Sequence, residues 1–155
     1  TKGSRALWKM ISEGLLIDPV SGKAIAPDQI GMVVNIDQIG GTMSTLKSGR
    51  KDFIIMLGRE AAGQENSGLL SLCNLKYGSG LELSYDYYGS KDFTNVFYHR
   101  VSDQKVFLEN KIPAVMFTSG ITMNNNKPYD NPDSIDLNIL KRRIWLMFHW
   151  IERIL

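Results

Sequence analysis

Three short apolar runs constrain the fold of this sequence more than any other feature. They span residues 32–36, 53–57 and 114–117, and in none of them do apolar and polar residues alternate. Strands of this kind are covered on both faces, as in a sheet that lies between layers of helices. The runs therefore predict an α/β domain with a largely parallel sheet.

Helical patterns fill the segments around these strands. Residues 5–15 predict a first helix with Ser4 as its N-cap, and a second helix follows residue 57 and ends near residue 77. A short third helix is expected at residues 103–110. A short alternating strand is expected between them at residues 81–85, and residues 86–102, rich in Tyr, Gly, Asp and Ser, are expected to be irregular.

The last predicted helix begins after Asp136, which is a suitable N-cap. Six apolar residues recur along it at helical spacing: Leu140, Ile144, Met147, Phe148, Ile151 and Leu155. Such a stripe predicts the face that packs against the rest of the domain.

Composition excludes several classes of protein. The chain has 155 residues, 18 basic and 16 acidic, so its net charge of +2 gives no footprint for nucleic acid. No apolar run is long enough to span a membrane.

Cys73, the single cysteine, lies in an apolar stretch and is interpreted as a small core residue. The chain opens without methionine or a signal peptide, which we interpret as a start inside a domain.

Two candidate sites follow strand ends, where open α/β sheets bind their ligands. Asp37 directly follows the first buried strand and precedes a glycine pair, so it can face a cleft as a metal ligand or simply bond its own turn. The polar loop at residues 118–133 contains three consecutive asparagines and is either functional or a solvated turn. Tyrosines 85, 87, 88 and 98 either line a pocket or pack the sheet edge.

Four segments, in order, resemble the zinc-dependent exopeptidases of the bacterial aminopeptidase type. Residues 34–40 match a strand-end motif with Asn, an apolar residue and Asp, and residues 102–107 match a Ser-Asp-His segment except for its histidine. Residues 112–120 match the next strand, and residues 128–136 match the run before the final helix. The resemblance implies a three-layer α/β/α sandwich of which residues 1–155 are the C-terminal part.

The resemblance also implies roles for individual residues. Asp37 would be a zinc ligand, and Asn126 stands where the family has its last zinc-binding histidine. Asn125 replaces a tyrosine whose hydroxyl is placed to stabilise the tetrahedral intermediate in such enzymes, and Asp103 and Tyr98 are further candidates for substrate binding. Zinc, a peptide substrate and a periplasmic or secreted location are implied for the parent enzyme.

The family's remaining metal ligands and its paired glutamates, one of them the general base, are absent from this sequence. They precede the matched segments in the family, so truncation explains their loss, whereas Asn126 is a true replacement. We therefore expect a fragment of a zinc aminopeptidase, which hydrolyses N-terminal peptide bonds, to be inactive as the isolated chain. We also expect that truncation exposes apolar surface and promotes self-association.

Two alternatives stay open at the level of sequence. One is a peptidase-like domain that has lost its zinc site and acts by binding, a reading that Asn126 motivates. The other is a glutaminyl cyclase, which resembles these peptidases but uses one zinc and a tryptophan-rich pocket. The three tryptophans, Trp8, Trp145 and Trp150, all lie on predicted helices, which disfavours the cyclase.

Overall fold

Every residue from 1 to 155 is described by the computed structural model, which contains four strands and five α-helices. In chain order these are α1 (Lys2–Ser12), β1 (Val33–Ile36), β2 (Phe53–Leu57), α2 (Arg59–Lys76), β3 (Glu82–Ser84), α3 (Lys91–Arg100), α4 (Gln104–Glu109), β4 (Ala114–Thr118) and α5 (Leu137–Ile154). Two single 3₁₀ turns lie at Pro27–Gln29 and Pro132–Ser134. None of the helices combines the length and the apolar character needed to cross a membrane.

The four strands form one mixed sheet in the order β1-β4-β2-β3. β1 runs parallel to β4, with Val33 opposite Ala114, and β2 runs parallel to β3. β4 and β2, the two central strands, pair antiparallel. The predicted α/β class is confirmed, and the prediction of a largely parallel sheet holds for the two outer pairings but not for the central one.

Helices cover both faces of this sheet. On one face, Ile54 and Met56 of β2 pack with α2 and α5, and Trp150 of α5 donates a hydrogen bond to the Asn66 carbonyl of α2. On the other face, Ile55 packs with α3, and α4 and α1 lie alongside. All residues of β2 and β4 are buried, as their continuous apolar runs predict, while β1 is only half-buried because it is an edge strand.

The segment at residues 86–102, expected to be irregular, contains the helix α3. The Ser90 hydroxyl caps it by accepting a hydrogen bond from the Phe93 amide at 3.3 Å. The expected cap of the first helix is also wrong, because α1 begins at Lys2 and Ser4 lies inside it, nearly buried. Ser4 instead donates a hydrogen bond to Asp103, 99 residues away, a long-range partner that no local pattern predicts.

The predicted core-facing stripe of α5 is wrong for half of its residues. Ile144, Phe148 and Leu155 are exposed, whereas Met147 is buried and Leu140 and Ile151 are half-buried. The buried face of the helix consists of Arg143, Leu146, Met147 and Trp150. The helix carries apolar residues on two faces, and the face that packs against the sheet is the one that contains an arginine. Asp136 is confirmed as the N-cap, since its carboxylate accepts hydrogen bonds from the Asn138 and Ile139 amides, both at 3.0 Å.

Candidate functional site

The carboxyl ends of β1 and β4 meet at one edge of the sheet because these strands are parallel neighbours. The loop after β1 is bonded to the loop after β4 at two points. The Asp37 amide donates to the Phe117 carbonyl at 3.0 Å, and the buried Ser119 donates to the Gln38 carbonyl from both its amide (3.0 Å) and its hydroxyl (2.8 Å). The two predicted strand-end loops therefore form one continuous surface.

The side chain of Arg143, on α5, stabilises the loop after β1 through hydrogen bonds. Its side chain is fully buried and faces no carboxylate; instead the guanidinium donates to the carbonyls of Ile39 (2.6 Å), Gly41 (3.0 Å) and Phe53 (2.7 Å). Burial lowers the pKa of Arg143 to about 10, so the group stays charged at neutral pH. Sequence reasoning missed this residue, although an arginine between apolar helix positions was a usable signal.

Asp37 is bonded into a polar network that reaches into the domain. Its carboxylate accepts a hydrogen bond from the Ser102 hydroxyl, which in turn accepts one from the Asn35 amide at 2.9 Å. Asn35 also donates to the fully buried Gln104 at 2.7 Å, and Gln104 donates to three carbonyls around the end of α3. The network explains why polar residues Asn35 and Asp37 occupy one face of an otherwise apolar strand end.

The backbone is unusual on both sides of this network. Gln38 has φ 57° and Ser102 has φ 70°, so both lie in the left-handed region that residues other than glycine rarely adopt. Such positions cluster at functional sites, where surrounding contacts maintain them. The hydrogen bonds from Ser119 to Gln38 and from Ser102 to Asp37 supply those contacts here.

The residues of this chain do not fit a zinc ion. No group of three or more His, Cys, Asp or Glu side chains lies close enough to share a metal. Asn126 is exposed at φ 58°, and its amide donates to the Asp130 carboxylate at 3.0 Å. A catalytic zinc needs about three protein ligands besides water, and Asp37, already bonded by Ser102, is one candidate at most.

The three predicted substrate-binding residues lie in different surroundings. Asn125 is half-buried and lines two adjoining cavities. Asp103 begins α4 and accepts the hydrogen bond from Ser4 at 2.8 Å, so it links α4 to α1. The Tyr98 hydroxyl donates to the Ala114 carbonyl at 2.8 Å, and its ring covers Gly58. Only Asn125 faces the cavities at the strand ends.

The larger cavity, which we call the aromatic pocket, has a volume of about 630 Å³. Four aromatic side chains form one side of it: Tyr87, Tyr88, Phe93 and Phe97. Tyr87 stacks on Phe97 with 4.0 Å between ring centroids. The opposite side comes from the loop after β4, which contributes Asn125 and, as the one cationic lining residue, Lys127.

Hydrogen bonds from the tyrosines join the two sides of the aromatic pocket. The Tyr87 hydroxyl accepts from the Ile121 amide at 3.1 Å, and the Tyr88 hydroxyl donates to the Ser119 carbonyl at 2.8 Å. Burial raises the pKa of both hydroxyls, which therefore stay neutral. Tyr87 and Tyr88 thus line a pocket, which was one of the two predictions for the tyrosine cluster, whereas Phe93 and Phe97 were missed because α3 was not predicted.

A smaller polar cavity of about 360 Å³ adjoins the aromatic pocket. It shares Thr122 and Asn125 with the aromatic pocket and is bounded by Gln38 on the side of the loop after β1. Asp130 contributes a carboxylate to its far side. An elongated ligand can therefore place an apolar group between the aromatic rings and polar groups against the strand-end loops.

The sequence matches no protein-family profile and no curated protein. Among solved structures, the chain is similar to the crystal structure of the LapA aminopeptidase of Legionella pneumophila, with a TM-score of 0.62 and 14% sequence identity. The match covers 98% of this chain and 35% of that protein, so the chain spans about a third of its length. The fold of this chain is therefore similar to part of an aminopeptidase fold.

Proposed function

We propose that this chain is the peptide-binding part of an aminopeptidase-type hydrolase, in which the aromatic pocket takes an apolar side chain of the peptide. The observation that carries the proposal is the position of that pocket, between α3 and the loop after β4, next to Asp37's end of the sheet. Its volume lies in the ordinary range for small-ligand sites. The similarity in fold to an aminopeptidase supports the choice of a peptide as ligand.

The binding chemistry follows from the two adjoining cavities. Burying a phenylalanine or leucine side chain in the aromatic pocket contributes about 1.5–3 kcal/mol. The side chains of Gln38, Thr122 and Asn125 offer hydrogen-bond donors and acceptors to peptide groups in the polar cavity. The apolar contact supplies affinity and the polar contacts orient the peptide.

Hydrolysis would need more than these residues supply. Zinc in such hydrolases polarises the scissile carbonyl and activates water, and the ligands and general base would have to come in addition to Asp37. We expect the 155-residue chain to bind zinc only weakly and with no fixed number of zinc ions per chain. Elemental analysis after dialysis against micromolar zinc tests this, and one tightly bound zinc per chain would contradict it.

The peptide proposal is tested by NMR mapping with a tripeptide amide that begins with phenylalanine. Shifts are expected at the amides of residues 87–97 and 121–127. Phe93→Ala should weaken binding about tenfold, because Phe93 lines the pocket yet is 60% exposed and adds little to the core. Phe148→Ala is the matched control, since Phe148 is 53% exposed on the remote helix α5. Shifts elsewhere, or equal effects of both variants, would contradict the proposal.

A second candidate is a peptide-binding domain without hydrolysis. Asn126 in place of a histidine and the bonding of Asp37 by Ser102 favour it. Assays of the longest natural form of the protein on amino-acid anilides with added zinc distinguish the two. Turnover that Asp37→Asn abolishes supports the hydrolase, while binding without turnover supports the domain that only binds. No tryptophan lines the aromatic pocket, so nothing here favours a cyclase.

A further inference from the structure

α5 presents an apolar surface to solvent on the side that faces away from the sheet. Leu137, Ile144 and Phe148 are 73%, 50% and 53% exposed, while Ile151 beside them is half-buried because it also packs against the core. An ordinary surface helix carries one apolar stripe, which it buries. α5 already buries such a stripe around Leu146 and Trp150, and all residues of the second stripe except Ile151 lie outside the hydrophobic core.

The second stripe follows a heptad pattern. Positions 137, 141, 144, 148, 151 and 155 are separated alternately by four and three residues, and all are apolar except Lys141. We call these six positions the α5 seam. This spacing is that of the contact line in paired helices, where each apolar side chain fits between residues of the facing helix.

We propose that the α5 seam pairs with the same seam of a second copy of this chain, with the two helices antiparallel. A two-fold axis between residues 144 and 148 sets the register. It places Phe148 opposite Ile144 of the second copy, and Leu137 opposite Leu155. One surface then complements itself, as the symmetric interfaces of dimers require.

The charges on the seam select this orientation. In the antiparallel register, Lys141 lies opposite Ile151 of the second copy and next to its Glu152. Glu152 contacts His149 of its own helix through Oε2 at 2.8 Å, but its side chain is 53% exposed, so the other carboxylate oxygen can reach the facing ammonium. A parallel pair would place Lys141 against Lys141, and like charges at a contact line are unfavourable. The complementary charges also favour a second copy over an unrelated apolar partner.

The size of the surface sets the strength of the pairing. A single pair of helices buries less than the roughly 1,200–2,000 Å² of a standard stable interface. The dimer is therefore in reversible equilibrium with the monomer rather than obligate. α5 covers the face of the sheet opposite to α3, so pairing leaves the aromatic pocket open.

Sedimentation velocity of the 155-residue chain from about 1 µM to about 1 mM tests the proposal. Wild type should pass from monomer to dimer as concentration rises. Phe148→Glu should weaken dimerisation at least about tenfold, because it places a charge at the centre of the seam. Val20→Glu is the control for an added charge, since Val20 is 93% exposed in a loop away from α5, and it should leave the dimer unchanged.

The charge pair gives a second readout. Lys141→Glu should weaken the dimer severalfold, and adding Glu152→Lys should restore it, because the exchange recreates the opposite charges in the antiparallel register. A monomer at every concentration overturns the proposal. So does a dimer that Phe148→Glu does not weaken, which would indicate another surface such as the β1 edge. These results do not depend on peptide binding, so this proposal and the proposed function fail separately.

Discussion

At the scale of the residue, one buried charge determines how the site is supported. Arg143 replaces what would be an apolar core residue and satisfies carbonyl groups of the loop after β1 and of β2. A buried guanidinium is stable only when its donors are paired, and here backbone oxygens take the place of a carboxylate. The position of Asp37 and Gln38 therefore depends on a residue more than 100 positions further along the chain.

Arg143→Met should destabilise the fold by about 3–5 kcal/mol, because it leaves several buried carbonyls without donors. Urea unfolding followed by circular dichroism measures the change. The control variant Arg100→Met, at an exposed position of α3, should change the free energy of unfolding by less than about 0.5 kcal/mol. A loss below about 1 kcal/mol for Arg143→Met would show that the loop does not need these hydrogen bonds.

Asp52 links the start of β2 to α5 and makes stability depend on pH. Arg50 above all, at 2.7 Å, and also Arg142, at 3.1 Å, hold its pKa well below the ordinary value. Because the folded pKa is lower than the unfolded value of about 3.9, this stabilisation is present above about pH 4 and is lost as the pH falls through the folded pKa.

Asp52→Asn should therefore lower the free energy of unfolding by about 1–2 kcal/mol at pH 7 and by progressively less below about pH 4. Urea titrations at a series of pH values measure this difference. Asp28→Asn serves as the control at an exposed position. A difference from wild type that stays constant down to about pH 2 would contradict the assigned role.

At the scale of the element, the sequence predicts those helices and strands that depend on a local pattern of residues. The strands β2 and β4, which are continuous apolar runs, and the N-cap at Asp136 could be predicted without knowledge of tertiary contacts. α3 was missed because its residues are mixed in polarity, and it is held by the Ser90 cap and by packing of its aromatic side chains. The core-facing side of α5 could not be predicted either, because two of its faces are apolar and the choice depends on partners for Arg143.

The cap of α5 gives a direct test at this scale. Asp136→Ala should destabilise the fold by about 1 kcal/mol, since two amides of the first turn lose their acceptor. Thermal unfolding measures the loss. Asp133→Ala, three residues earlier, keeps the hydrogen bond that the Asp133 backbone amide donates to the Asn131 side chain and should change stability little. Equal effects of the two variants would contradict the capping role of Asp136.

At the scale of the whole molecule, the fold is similar to about a third of an aminopeptidase. Asp37 was predictable as a polar residue at a strand end, but its bond to Ser102 depends on pairing between distant segments. The aromatic pocket is formed by α3 and the loop after β4, which only the folded chain brings together. The molecule thus has a large cavity at the strand ends and no cluster of side chains that could hold a metal ion.

The proposal that the aromatic pocket binds an apolar side chain of a peptide can be tested by calorimetric titration with two matched tripeptide amides. One peptide begins with phenylalanine and the other with glycine. The phenylalanine peptide should bind at least about tenfold more tightly, and Phe93→Ala should remove most of this preference. Equal affinity for the two peptides, or a preference that Phe93→Ala leaves intact, would contradict it.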